Sequence, residues 1–298
     1  MIWLILILSF AFYLLSGPGN PSFPILSYRF FRGVFALISG AYLSASGVLL
    51  QAVFNNPLVE PYILGVSAGA STGALLAIYF LALSSPLWVS GLSFLSAVAC
   101  VGLVFLISVK LHPSRETLLL VGLSMGAFLT AINSIIMLIK SQNPTSDLVF
   151  WLLGSLSGIN QEEVLILLLG LPFLVFSLFL HRRLDLLLWG REAEAMGLAL
   201  WETRALVLVI STVLAAIVVS EAGVIGFVGL ISPHIARRLW GYPHRKLLPG
   251  ALGIGALVLL LSDLLSRVLL SPWELPVGLI TALIGAPLFL YLTLRKFQ

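Results

Sequence analysis

An all-α, polytopic membrane protein of about ten spanning helices is the fold this chain predicts, and three observations carry the prediction. Only 9% of its residues are charged and 60% are hydrophobic, whereas an ordinary soluble domain carries about 25% charge. Its apolar stretches repeatedly approach the length, about 20 residues, that a helix needs to cross hydrocarbon. The breaks between those stretches are clusters of Pro, Gly, Asn and charge, which end helices. The chain reads as one transmembrane domain over residues 1–298, with a first half near 33–139 and a second near 204–294.

Spans are expected near residues 2–16, 33–54, 63–83, 87–109, 117–139 and 163–180, then near 204–221, 224–239, 247–268 and 277–294. The opening residues are apolar but lack the basic n-region of a signal peptide, so they read as a rather short first helix. The second span runs into a polar interruption, Asn55-Asn56-Pro57-Leu58-Val59-Glu60-Pro61. Two prolines, two amides and a carboxylate cannot stay in helical register within hydrocarbon. Freed backbone groups there cost several kcal/mol each unless protein or water satisfies them. Both flanks are rich in Gly, Ala and Ser, which let membrane helices approach closely. A tight polar hinge between such helices suits a pathway wall better than a lipid-facing anchor.

Cys100 lies in the apolar run of the fourth span. A single cysteine excludes a disulfide framework within the chain, and its surroundings read as small-residue packing. The eighth span is interrupted by Pro233 and His234. The seven tryptophans, Trp3, Trp88, Trp151, Trp189, Trp201, Trp240 and Trp273, mostly fall near predicted span ends, as an interfacial belt would.

An even number of spans places both termini on one side. With that side cytoplasmic, twelve of the sixteen Lys and Arg fall on inner segments, and Arg29, Arg32, Lys140 and Arg267 on outer ones. The positive-inside rule therefore predicts a multi-pass protein of the inner (cytoplasmic) membrane with both ends inside, and it puts the hinge on the cytoplasmic face. The charge of +4 is read in this way, and not as affinity for nucleic acid. The longest inner connection, 181–204, contains good helix formers bounded by glycines, Gly190-Arg191-Glu192-Ala193-Glu194-Ala195-Met196-Gly197. It reads as a short surface helix, either a docking element for a cytoplasmic partner or a plain amphipathic connector.

The second span leads through its break into Ile63-Leu64-Gly65-Val66-Ser67, and the seventh leads into Phe227-Val228-Gly229-Leu230-Ile231-Ser232. The first unit would run downward and the second upward, which makes an inverted repeat.

The chemistry offered is sparse. No Gly-x-x-x-x-Gly-Lys-Ser/Thr occurs, so the chain cannot cradle nucleotide phosphates by a P-loop, and any ATP is hydrolysed by a separate subunit. Asp263 and Arg267 stand four apart on one helical face and read as a structural ion pair, with an ion relay as the rarer role. Glu221 reads as an interfacial residue at the outer end of the seventh span. His112, His181, His234 and His244 show no zinc spacing and fall at inner helix ends or loops, so no metal site is expected. Arg29 and Arg32 on the outer side suit either pairing with carboxylates of a binding protein or simple anchoring.

Several stretches resemble one family, the FecCD-type permeases of binding-protein-dependent ABC importers. The hinge, Asn56-Pro57-Leu58-Val59-Glu60-Pro61 followed by Leu64-Gly65-Val66-Ser67, is similar to that family's first signature. Ile225-Gly226-Phe227-Val228-Gly229-Leu230-Ile231-Ser232-Pro233-His234-Ile235-Ala236-Arg237 resembles the second, with Ser232 where a Val is more usual. Glu274-Leu275-Pro276-Val277-Gly278 and Gly285-Ala286-Pro287 resemble a C-terminal one. The likeness runs from about residue 33 to the end.

The resemblance implies a type II ABC importer permease, non-catalytic, working as a homodimer with its path along the dimer interface. Two cytoplasmic ATPase subunits, where ATP and Mg bind, and an extracytoplasmic solute-binding protein would be its partners. No cofactor is expected on the chain itself. It implies that Gly190, Glu192, Ala193, Ala195 and Gly197 belong to the helix that couples to the ATPase, and that Asn56, Pro57, Leu58, Glu60 and Pro61 belong to the inner gate. The expected cargo is a metal chelate: a ferric siderophore, haem or cobalamin. The rival expectation is an ion-coupled secondary transporter using Asp263 or Glu221. A membrane-embedded enzyme would need clustered titratable groups, which the spacing does not offer.

Overall fold

The computed structural model describes residues 2–17, 22–81, 83, 85–140, 152–190 and 192–294, with side chains to residue 291. Met1, Trp151, Arg191, Arg295 and Lys296 lie outside the described residues. The helices are α1 (Ile2–Leu15), α2 (Phe23–Phe54), a 3-10 turn (Pro61–Leu64), and α3 (Val66–Leu75), which runs on as a π-helical turn (Leu76–Phe80). Then come α4 (Pro86–Leu111), α5 (Arg115–Lys140), α6 (Gln161–Leu168), α7 (Leu171–Phe179), α8 (His181–Leu187) and α9 (Glu192–Ala195). The chain closes with α10 (Leu200–Ala222), α11 (Val228–Trp240), α12 (His244–Val268) and α13 (Val277–Leu294). Six helical stretches are long and apolar enough to cross a membrane, α6 and α7 counting as one, and three shorter apolar ones accompany them. The amphipathic α11 takes the remaining place, so the protein is an all-helical, multi-pass membrane protein.

The bundle is organised around α2, which touches α10, α11 and α12 through small residues. A Cβ on Gly40 would collide with the Gly255 carbonyl, and one on Gly47 with that of Gly229. Hydroxyls reinforce the same seams: Ser44 Oγ donates to Ala251 O at 2.7 Å and Ser46 Oγ to Ser211 O at 2.8 Å. This is close backbone packing of the kind that replaces hydrophobic driving force in lipid. Cys100 does pack as a small residue, its Cβ lying 2.8 Å from where a Cβ of Gly69 would stand.

Four spans differ from expectation. The second helix starts ten residues earlier than predicted, at Phe23, because Arg32 is paired with Asp263 and Glu274 and Arg29 donates to Leu14 O inside the bundle, so neither need end it. Both arginines are buried, at 2% and 1% exposure, so neither is presented to an external binding protein. The third span is three joined pieces, with Gly65 left-handed (φ 82) between the 3-10 turn and α3. The sixth breaks at Leu169 and Gly170, where Tyr42 from α2 packs on Gly170 and donates to Leu167 O at 2.9 Å. The eighth is shorter than 224–239. Gly223 and Phe227 have φ of 69 and 67, so the chain between them is not helical and α11 begins at Val228.

The two ends of the bundle collect the segments that the charge pattern assigned to two sides. At one end Arg115 Nη2 donates to Leu187 O at 2.8 Å, and His244 Nδ1 lies 2.6 Å from Asp185 Oδ1. The hinge, Leu188 and Tyr242 share one cavity there. At the other end Arg32 reaches Glu274, Gly158 N donates to Tyr28 Oη, and Ser90 donates to Glu221.

Candidate gate and coupling surface

The elbow at residues 55–61 is built by its own residue types. Asn55 caps α2 in the left-handed conformation (φ 48, ψ 40), which Asn tolerates better than other non-glycine residues. The N–H groups of Asn55 and Asn56 return to Ala52 O and Gln51 O. Asn56 Oδ1 then accepts from Leu58 N at 2.9 Å, an Asx turn that ends the descent. Pro61 opens the 3-10 turn with its φ already set.

The elbow divides the predicted gate residues into two groups. Leu58 is 48% exposed, with Asn56 and Pro57 half-buried beside it. Val59 and Pro61 are buried, and Glu60 turns inward with them. Glu60 Oε2 accepts from Phe227 N at 3.2 Å. Tyr62 Oη donates to Ile225 O at 3.0 Å and accepts from Ile225 N at 3.2 Å. The two breaks matched in the sequence as halves of an inverted repeat therefore bond to each other. In both, a left-handed residue, Gly65 or Phe227, caps a short helix. Side chains of the first break satisfy backbone groups freed by the second, as helix breaks at membrane depth require.

Gln51 is the residue that ties this junction together. Its Nε2 donates to Val59 O at 3.3 Å and Gly229 O at 3.4 Å, and its Oε1 accepts from Arg237 Nη2. Gln51 lies outside the recognised signatures, although a lone amide within an apolar span is a usable signal. Among the second-signature residues, Gly229 is where α2 meets α11, Pro233 is buried within α11, and Gly226 has open space around it. Arg237 and His234 face a cavity beside the elbow. His234 is thus mid-helix and not at a helix end, with the Phe289 ring edge-on at 6.4 Å. Ser67 is half-buried at the start of α3.

The predicted coupling segment forms a small projecting turn, with α9 at its centre. Glu192, Ala195, Met196 and Gly197 are exposed, while Ala193 is fully buried. Gly190 and Gly197 are left-handed, with φ of 61 and 86, which fixes both ends of the projection with residues that accept that conformation.

Asp263 and Arg267 do meet, but only at 3.6 Å. The tighter partner of Asp263 is Arg32, whose Nη2 lies 2.8 Å from Oδ1 and whose Nε reaches both carboxylate oxygens at 3.1 Å. Tyr13 Oη donates to Oδ2 at 2.6 Å, and Arg32 Nη1 also holds Glu274 at 2.9 Å. This cluster joins α1, α2, α12 and the loop before α13. Glu221 sits apart from it, accepting from Ser90 Oγ at 3.2 Å.

Comparison with known proteins adds the following. Residues 7–295 match the FecCD transport family. The ABC transporter permease protein YvrB of Bacillus subtilis is 38% identical over 95% of this chain and 82% of its own length. The vitamin B12 import system permease protein BtuC of Salmonella typhimurium is 35% identical over 89% of this chain and 82% of its length. A solved ABC transporter, described as of metal-chelate type and in an inward-facing conformation, superposes with a TM-score of 0.91 at 36% identity. It covers 99% of this chain and 97% of the solved one. PsaBC from Streptococcus pneumoniae shares the fold, with a TM-score of 0.62 at 16% identity over 96% of this chain and 95% of that one.

Proposed function

We propose that this chain, which belongs to the FecCD transport family and is the permease of an ABC importer of that type, moves a metal chelate across the inner membrane by ATP-driven alternating access in a homodimer. Ferric siderophores, haem and cobalamin are the cargo class. A solute-binding protein delivers the chelate outside, and two ATPase subunits dock inside on the segment around Glu192, Ala195 and Gly197. ATP binding changes the spacing of those segments, and the dimer interface opens to one side at a time. The elbow end of the bundle is the cytoplasmic end in this reading, with both termini inside.

The observation that carries the reading is a contrast in burial. The most apolar windows of α2, α10 and α12 are 78% buried within the chain, whereas that of α5 is 11% buried. The bare face of α5 includes Ser124, Ala127, Ala131 and Ser134, small or polar residues at helical spacing. Leu123, Phe128 and Ile135 are exposed among them, and small residues set between large apolar ones let a partner helix approach closely. The opposite face of α5 packs on the chain itself, Gly122 against the 3-10 turn and Gly126 against Gly65, so the bare face is turned outward. A wall of small and apolar groups holds solute weakly, and release requires that.

The Asp263 cluster supports this reading over an ion-coupled carrier. The Asp263 carboxylate is taken up by Tyr13 of α1, Arg32 of α2 and Arg267 of its own helix, so it serves as a joint between helices and faces no path. Cysteines placed at Asn56 or Leu58 test the gate. They are expected to crosslink between protomers in one nucleotide state and not in the other. State-independent crosslinking, or none, contradicts the gate.

A further inference from the structure

The elbow, α11 and the start of α12 enclose a cavity of about 500 Å³ whose charge the chain does not balance. Arg237 and Arg238 face it from α11, with Gln51 and Asn56 on the opposite wall. A carboxylate does come close to this wall, but Asp185 accepts from both the backbone N–H and Nδ1 of His244, at 3.0 and 2.6 Å. The one hydrogen-bonding contact of the Arg237 guanidinium is with the neutral amide of Gln51, and its Nη1 has no acceptor among the described residues. No described carboxylate lies within ion-pair distance of it. A half-buried guanidinium set against a neutral amide keeps an uncompensated charge. Its planar fork matches an oxyanion, and such charge-assisted bonds are the strong ones.

We propose that this cavity binds a phosphate-type oxyanion, held by Arg237 and Arg238 against the amides of Gln51 and Asn56. An occupant there touches α11, the end of α2 and the elbow together, and so holds the elbow against α11. Inorganic phosphate and the headgroup of an anionic lipid share this chemistry.

The full chain is purified in neutral detergent and its thermal unfolding followed in phosphate and in chloride at matched ionic strength. Saturating phosphate is expected to raise Tm by about 3 °C. Arg237→Gln is expected to weaken the apparent phosphate affinity at least about tenfold. Arg238→Gln, whose side chain is exposed, keeps the test readable if the first variant fails to fold, with a loss of about threefold. Nanodiscs then separate the sources. A phosphate response present in phosphatidylcholine and lost in phosphatidylglycerol assigns the site to the lipid headgroup, and a response kept in both assigns it to inorganic phosphate. A Tm indifferent to phosphate in detergent and in phosphatidylcholine overturns the site. So does a response equal in wild type and both variants, or one that rises with concentration without saturating, which is preferential exclusion.

Discussion

At the scale of single residues, the bundle is held by contacts that allow almost no added volume. Gly47 faces the carbonyl of Gly229, so even one methyl group must push α2 and α11 apart. Gly47→Ala is expected to destabilise the chain by about 1–3 kcal/mol, read as a lowered midpoint of thermal unfolding in detergent. An unchanged midpoint would show that the seam is looser than the geometry states. The Arg32–Asp263 pair makes a sharper case. Removing one partner strips a buried charge of its tightest contact, leaving Asp263 with the looser Arg267 or Arg32 with the half-exposed Glu274, so Arg32→Ala and Asp263→Ala are each expected to cost about 3 kcal/mol. The double variant is expected to cost clearly less than their sum, because neither charge is then left without its partner. Strict additivity would deny the coupling. Sequence spacing found the Asp263–Arg267 pair, since a four-residue offset is local. It could not find Arg32, which lies 231 positions from Asp263 and comes within reach only when α2 packs along α12.

At the scale of elements, the elbow and the coupling segment were legible in outline, because Asn, Pro and Gly act locally on the backbone. What the residues do once folded was less legible. Ala193 belongs to the predicted coupling set, yet it is buried against its own protein. Bulky replacement there is expected to disturb folding, whereas Ala195→Trp or Glu192→Lys is expected to leave the dimer intact and reduce stimulated ATPase activity at least tenfold. Normal stimulation in both exposed variants would remove this segment from the coupling surface. The eighth span misled for a physical reason. Apolar composition runs through residues 224–227 without a break, and only the left-handed Phe227, set by its bond to Glu60, shows that the helix starts later. A tertiary contact decides that boundary, and no local pattern reports it.

At the scale of the whole molecule, the charge count sorted the chain well because the two faces of a membrane protein are separated by length alone. The segments around Arg115, Asp185 and His244 meet at one end of the bundle, and those around Arg32, Gly158 and Glu274 at the other. The meeting of the two breaks was not legible. Their likeness was visible as a repeat, but repeats specify similar shapes and not contact between them. The junction of Gln51, Glu60, Tyr62 and Phe227 therefore makes the two halves mechanically continuous at the elbow. In the proposed function the dimer path carries a metal chelate only when ATPase subunits drive it. Uptake of a labelled chelate into proteoliposomes tests it most directly, with the permease reconstituted with or without its ATPase and binding protein. Uptake is expected to require both partners and ATP, and to show no response to an imposed ion gradient. Uptake by this chain alone, driven by such a gradient, would contradict it.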